Sequence, residues 1–393
     1  MPDIPLSITP KHPSLLALGF RPFFLAAGAS ALLAMLIWTA ELHGLVTGGH
    51  YLGGTAWHAH EMLFGYASAI IAGFLLTAAR NWTGIQTPTG TWLGALAVLW
   101  LSARIAPFLP IPGALIAALD LAFFPALAAA LSRPLWQGQN KTNRIFLALF
   151  AGMTAASLLV HLQALGITTA TATMGSRLML DLILLTLMIV AGRIMPFFTQ
   201  SAVQGSRPIN RSWIEGATFA LASAAAVAHL FLSLSPYLGT LLIALACVQT
   251  LRLAGWHAPG VWHNPMLAVL YAGYLWLIAG FALDGLAGFG LIAPYPAMHA
   301  LTTGTIGVFT LGMMARVTLG HTGRGMQSSP LTNAAFVLVN AAALVRVLMP
   351  LVRPAHYALW LDISAGLWML AFTLFLWVYS PMLVSPRADG RPG

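Results

Sequence analysis

From about residue 22 to residue 379 the chain alternates long apolar stretches with short polar or proline-bearing breaks. A helix that crosses a hydrocarbon core of about 30 Å, at 1.5 Å per residue, needs about twenty such residues. Stretches of this kind lie near 22–42, 57–79, 91–108, 113–131, 144–165, 176–199, 214–234, 237–253, 264–288, 297–319, 331–351 and 355–379, twelve in all. Lipid offers no partner for backbone amides, so each stretch must satisfy its own, and the pattern predicts an all-α polytopic membrane bundle. Ser235-Pro236 and Arg353-Pro354 mark tight hairpins. No interval between stretches is longer than a loop, so residues 1–393 read as a single integral membrane domain.

Composition agrees. Of 393 residues, 59% are hydrophobic and 7% charged, against about 25% charged in soluble proteins; the mean hydropathy is +0.83. A soluble enzyme is excluded. Residues 1–21 are polar and broken by Pro2, Pro5, Pro10 and Pro13. The apolar run that follows is long for a signal-peptide core and lacks a clear Ala-x-Ala cleavage site, so it reads as a retained first helix.

The net charge is +9, but the basic residues are scattered one to three per loop rather than clustered, which argues against nucleic acid and for the lipid bilayer as partner. Lys11, Arg21, Arg80, Arg133, Lys141, Arg144, Arg207, Arg211, Arg252, Arg324, Arg387 and Arg391 fall on one side of the predicted topology, and Arg104, Arg177 and Arg353 on the other. The positive-inside rule then places both termini in the cytoplasm. Cys247 is the only cysteine, which rules out an intrachain disulfide, a Cys-x-x-Cys-His haem attachment and a thiolate zinc cluster. Any metal must depend on His, Met, Tyr and carboxylate.

The topology sorts the twelve histidines by depth. His43, His50, His58, His60, His161, His229, His299 and His356 fall in the outer half or outer loops, and His12, His257, His263 and His321 on the inner side. The densest chemistry lies in Trp57-His58-Ala59-His60-Glu61-Met62, at the outer mouth of the second stretch. Ionisable groups inside a membrane are costly, which favours a functional role. Positions i and i+2 of a helix point about 200° apart, so His58 and His60 are expected to serve two sites on different sides of one helix. His299, at the outer mouth of the tenth stretch, is their expected companion, and Glu61 orients an imidazole. His321, 22 positions beyond His299, belongs to a separate inner site about 33 Å away. His161 and His229 read as hydrogen-bonded structural histidines, His43 and His50 as solvated ones. The buried charges Asp120, Asp181, Arg193, Asp284, Arg316, Arg346 and Asp362 allow two readings: mutual pairing, such as Arg177 with Asp181, or a proton path with arginines on the carboxylates of a cofactor. Most methionines read as packing.

The chain resembles the NnrS family, haem- and copper-containing bacterial membrane proteins linked to nitric oxide and denitrification. The resemblance rests on Gly19-Phe20-Arg21-Pro22-Phe23-Phe24, Trp57 to Tyr66, Ala72 to Ala78, Asn81-Trp82-Thr83-Gly84, Gly192-Arg193 with Pro196-Phe197-Phe198-Thr199, His299-Ala300-Leu301-Thr302, and Arg316 through Gly320-His321-Thr322-Gly323-Arg324. It implies a bacterial inner-membrane protein of the nitrosative-stress response, with b-type haem, copper and nitric oxide or a related gas as ligand. It does not assign each ligand; the depth sorting makes His58, His60 and His299 the expected axial or copper ligands in the outer half, His321 the expected ligand of a separate inner site, and Arg21, Arg80, Arg193, Arg316 and Arg324 the expected propionate or anion partners on the inner side. Two rival readings stand beside this one. A haem-dependent nitric-oxide or quinol oxidoreductase would move protons through Glu61, Asp120 and Asp181; its electron donor is not readable. A secondary transporter of a metal or metal complex would show matching broken helices in its two halves. Pro107 and Pro125 interrupt the first half without clear partners in the second.

Overall fold

A computed structural model of the chain describes residues 13–46, 51–232 and 234–391. Lys11, His12 and His50 lie outside them. Twelve helices are long and apolar enough to cross a membrane: α1 Phe20–Leu42, α2 Gly54–Thr83, α3 Gly90–Phe108, α4 Gly113–Gln137, α5 Lys141–Ala164, α6 Thr171–Ala202, α7 Ser212–Phe231, α8 Pro236–Trp256, α9 Pro265–Gly288, α10 Tyr295–His321, α11 Pro330–Val352 and α12 Pro354–Val384. They correspond one for one to the predicted stretches. Most run past them at an end, because polar residues such as Thr171 and Gln137 carry the helix on into the interfacial layer.

The first and last helices meet. Arg21, at the start of α1, is 1% exposed, and its Nη1 donates to the carbonyls of Leu383 (2.9 Å) and Ser385 (2.6 Å) at the end of α12. A cation there satisfies carbonyls that have no partner within the helix and opposes the negative end of its dipole. Odd-numbered helices therefore start, and even-numbered ones finish, at this termini face.

Helices α2 and α10 form the centre. In each, 83% of the most apolar window is buried, whereas α6 reaches 67% and no other helix exceeds 56%. Both change winding in the same place. Just after His60, α2 opens into π turns over Glu61–Ala67, and just after His299, α10 does so over Ala300–Val308. Insertions of this kind are rare and gather at functional sites. Tyr66 and Thr310, at the inner ends of the two π segments, share a hydrogen bond of 2.7 Å. Between the helices lies a cavity of about 60 Å³ walled by Phe24, Ile70, Ile183, Ile306, Phe309 and Met313.

Around this centre, neighbouring helices pack as hairpins, tightest where small residues let backbones touch. At the α8–α9 crossing, a Cβ on Gly288 would lie 2.7 Å from the Cα of Gly239, whereas one on Gly216 of α7 would meet open space. Gly288→Ala is expected to lower stability by about 1–3 kcal/mol through overpacking. Gly216→Ala should be neutral or slightly stabilising, as alanine is the better helix former. Thermal unfolding of both variants in detergent tests the crossing, and equal melting would contradict it.

Candidate metal centre

His58 and His60 diverge as their spacing requires. The His60 ring stacks on Phe64 at 4.7 Å and faces α3, α4 and α5; the His58 ring stacks on Trp38 of α1 at 4.1 Å. Each helps to define a different cluster, both at the end of the bundle away from the termini.

On the His60 side, Arg104 of α3 bridges two carboxylates. Its Nη1 donates to Glu61 Oε1 at 3.0 Å and its Nη2 pairs with Asp120 Oδ1 of α4. The second oxygen of Asp120 accepts from Ser157 Oγ (2.8 Å) and lies 3.0 Å from His161 Nε2 of α5 and 3.4 Å from His60 Nε2. The outer nitrogens of both rings are engaged, His60 Nδ1 with Glu61 Oε1 at 3.3 Å and His161 Nδ1 with the Tyr51 hydroxyl at 3.0 Å. With Nδ1 directed to Glu61, His60 turns Nε2 toward Asp120 Oδ2. That nitrogen is buried and has no hydrogen-bond partner. His60, Asp120 and His161 are 3%, 5% and 1% exposed.

These three residues offer Nε2, Oδ2 and Nε2 within 4.8 Å of one another, and among the described residues no other His, Cys, Asp or Glu group of three does so. The arrangement suits a cation. Two carboxylates face one guanidinium, so one negative charge is in excess before the imidazoles are counted. Ligand atoms at 2.0–2.1 Å from a tetrahedral ion lie about 3.3 Å apart, between the 3.0 and 3.4 Å measured here. Glu61 and Tyr51 sit where second partners of ligating histidines sit, fixing ring tautomer and orientation.

On the His58 side no carboxylate pairs with the ring among the described residues. Nδ1 of His58 is buried without a partner, and His299 and Arg346 lie within electrostatic reach. His299 donates Nδ1–H to the Tyr295 carbonyl at 2.8 Å, which leaves its Nε2 lone pair free. Arg346 donates Nη2 to the Tyr357 hydroxyl at 2.8 Å, while its Nη1 is buried and unpaired. Met35 and Met62 pack beside Trp38 and Trp57 at the same end.

A third cluster resembles the first in charge but not in chemistry. Arg177 of α6 pairs with Asp181, four residues on, at 3.5 Å and with Asp284 of α9. His229 of α7 meets Asp181 Oδ2 through Nδ1 (2.9 Å) and Arg177 Nη2 through Nε2 (2.8 Å). Both of its ring nitrogens are occupied, Nδ1 by the Asp181 carboxylate and Nε2 by the Arg177 guanidinium, and among the described residues no second imidazole joins it. This is the mutual pairing expected for Arg177 and Asp181.

His321, at the termini face, packs its ring on Phe20 at 5.6 Å, within electrostatic reach of Arg21, Arg80 and Arg387. Arg324 and Arg387 lie in the same reach of Arg21. The structure thus sets Arg21, Arg80 and Arg387 around His321, with Arg324 near Arg21. It leaves Arg193 over the Trp82 ring at 4.8 Å and Arg316 over Phe198 at 3.9 Å. Sequence reasoning had treated His161 as only a hydrogen-bonded histidine, and it is one. Its part in a three-donor group, with Tyr51, Arg104 and Ser157 around it, was not foreseen, although the depth sorting already put His161 level with His60.

A family model described as NnrS protein matches residues 14–387. The chain belongs to the NnrS family. A search among curated proteins finds no match. For an NnrS protein the twelve helices make a multi-pass membrane protein, and the His/Asp cluster is a buried candidate metal centre within it.

Two predictions test the cluster. Arg104→Gln leaves Glu61 and Asp120 without their cation, and a broken buried pair of this kind costs about 3–5 kcal/mol. The variant should melt well below wild type, and an unchanged melting temperature would show that the pair is not formed. Tyr51 lies just outside α2, and its hydroxyl is pushed up from 10.0 to about 12 by burial and by the Asp120 carboxylate. The unfolded chain releases this proton first, so stability falls as pH rises between the two values. The ultraviolet difference between wild type and Tyr51→Phe should show no phenolate near the ordinary value, and Asp120→Asn should move the transition down.

Proposed function

We propose that this NnrS-family protein holds copper at His60, Asp120 and His161 and haem iron through His58 and His299, and that these metals meet nitric oxide in the bacterial inner membrane. The observation that carries the reading is the convergence of His60 Nε2, unpartnered, on Asp120 Oδ2 and His161 Nε2. Two imidazoles and a carboxylate are donors that copper accepts. Two neutral imidazoles from different helices, one with Nδ1–H tied to a carbonyl, are suited to haem iron, and the free Nη1 of Arg346 is suited to a propionate. Bound iron and copper would supply coordination and one-electron chemistry toward nitric oxide, which the side chains alone lack.

The residues of the chain do the rest. Glu61 and Tyr51 hold the two rings, Arg104 keeps Asp120 ionised and directed, and α2 and α10 bury the whole from water. The cavity between α2 and α10 begins about seven residues below His60, roughly 10 Å along the helix. Apolar voids of this kind stay dry and admit small neutral molecules, so a diatomic gas in the bilayer has room beside the metals. His321 is set among arginines, a place that repels a cation and attracts an anion, so we assign it no metal. Basic residues crowd the termini face, in keeping with a cytoplasmic orientation of that face.

Metal analysis and absorption spectra of the purified protein test the assignment. His60→Ala and His161→Ala should each lose copper about tenfold or more, the loss expected when a ligand or its close support is removed. His58→Ala and His299→Ala should keep copper and alter the haem band, and His321→Ala should leave both unchanged. Copper retained by His161→Ala, or a colourless preparation from haem-replete cells, would overturn the respective assignment. Steady consumption of nitric oxide with a quinol donor would mark the protein as a reductase, and stoichiometric uptake as a binding protein.

A further inference from the structure

A second cavity, of about 610 Å³, opens between α5, α6, α7 and α8 near the termini face. We infer that it is a binding pocket for the phosphate headgroup of an anionic glycerophospholipid, with Arg193 as the recognising cation. The inference is independent of the metal reading. Three features of the pocket carry it.

The first is charge. Arg252 is 3% exposed and satisfied by Glu215, with Nε–H donating to Oε1 at 2.8 Å, so this pair contributes no net charge. Arg193 has no carboxylate partner among the described residues. Its Nη1 donates to the neutral Asn143 side chain at 2.6 Å, and its guanidinium is held over the rings of Trp82 (4.8 Å) and Phe146 (5.5 Å). A fixed and uncompensated cation at the wall of a cavity is a site for an anion, and basic pockets between helices at this depth take lipid phosphates. The second feature is the lining. Thr142, Asn210 and the Arg252-paired Glu215 give the lining its other polar groups, while Ile189 and Phe219 are apolar. Phe219 is 45% exposed, so the cavity is open on the flank of the bundle, where acyl chains run. A free phosphate would have no use for that wall, whereas a phospholipid places its head on Arg193 and a chain along it. The third is what the lining lacks. No histidine, methionine or cysteine faces the cavity, so a haem seated here would find no axial ligand.

Native mass spectrometry of the detergent-purified full-length protein, titrated with phosphatidylglycerol, phosphatidylcholine or inorganic phosphate, is the test. One phosphatidylglycerol should remain bound with a preference of roughly fivefold over phosphatidylcholine, the effect of one basic group near an anionic headgroup. Arg193→Gln should abolish the preference and Arg193→Lys should keep part of it. Ile189→Trp, which fills the cavity and leaves the charge in place, should reduce retention of phosphatidylglycerol; it decides the matter if Arg193→Gln proves unstable. Unchanged retention in a stably folded Arg193→Gln or Ile189→Trp, equal retention of the two lipids, or displacement of phosphatidylglycerol by an equal concentration of inorganic phosphate would overturn the inference.

Discussion

The ion pairs of Arg104 with Glu61 and Asp120 set the terms for the end of the bundle away from the termini face. An isolated charge in a medium of low polarity is costly enough that the group would rather neutralise than stay ionised. Arg104 removes that cost for both acids at once, and it does so from α3, reaching to α2 and α4. Three helices are thereby fixed relative to one another, and Asp120 is left with one oxygen for Arg104 and one for Ser157, His161 and His60. A metal ion or proton at that second oxygen completes a balance that the protein residues alone leave one charge short. The Arg177 cluster shows the alternative: there the guanidinium itself lies against the imidazole nitrogen, and no opening for an ion is left.

How much of this was legible in the sequence depends on whether the signal was local. The twelve spans were, because length and apolarity decide membrane insertion segment by segment, and their ends slipped only where polar residues continue a helix into the interface. The opposition of His58 and His60 was also local, since it follows from helical period alone; the π turns begin only after His60 and leave that period intact up to it. The partners of His60 were not local. Asp120 and His161 arrive from α4 and α5, about 60 and 100 positions away, and nothing in the apolar pattern of those helices states which face turns toward α2. Arg104 stood out in the charge bias as one of few basic residues on the outer side, and its role as a buried counter-ion explains why it is there against the bias.

The paired π turns connect the histidine-bearing end to the centre. In a regular α-helix each residue tightens onto the preceding turn, and a side chain's direction is set by its position in that winding. A π turn inserts an extra residue, so the faces above and below it are no longer in register. In α2 and α10 this shift separates the histidine-bearing mouth from the segment that walls the apolar cavity, and each helix can present both to the bundle interior.

The two ends of the molecule then divide the chemistry by charge. At the end away from the termini, carboxylates and imidazoles face few cations, which favours the capture of a metal. At the termini face, Arg21, Arg80 and Arg387 surround His321, with Arg324 near Arg21, and part of their charge is spent on carbonyls: Arg21 on the end of α12 and Arg387 on the His321 carbonyl at 3.0 Å. These contacts turn basic residues that a topology rule counts only as anchors into caps that hold α1, α10 and α12 together. Among the described residues Arg193 has no such carbonyl and no acid, and that difference separates an arginine that holds helices from one left to hold a ligand.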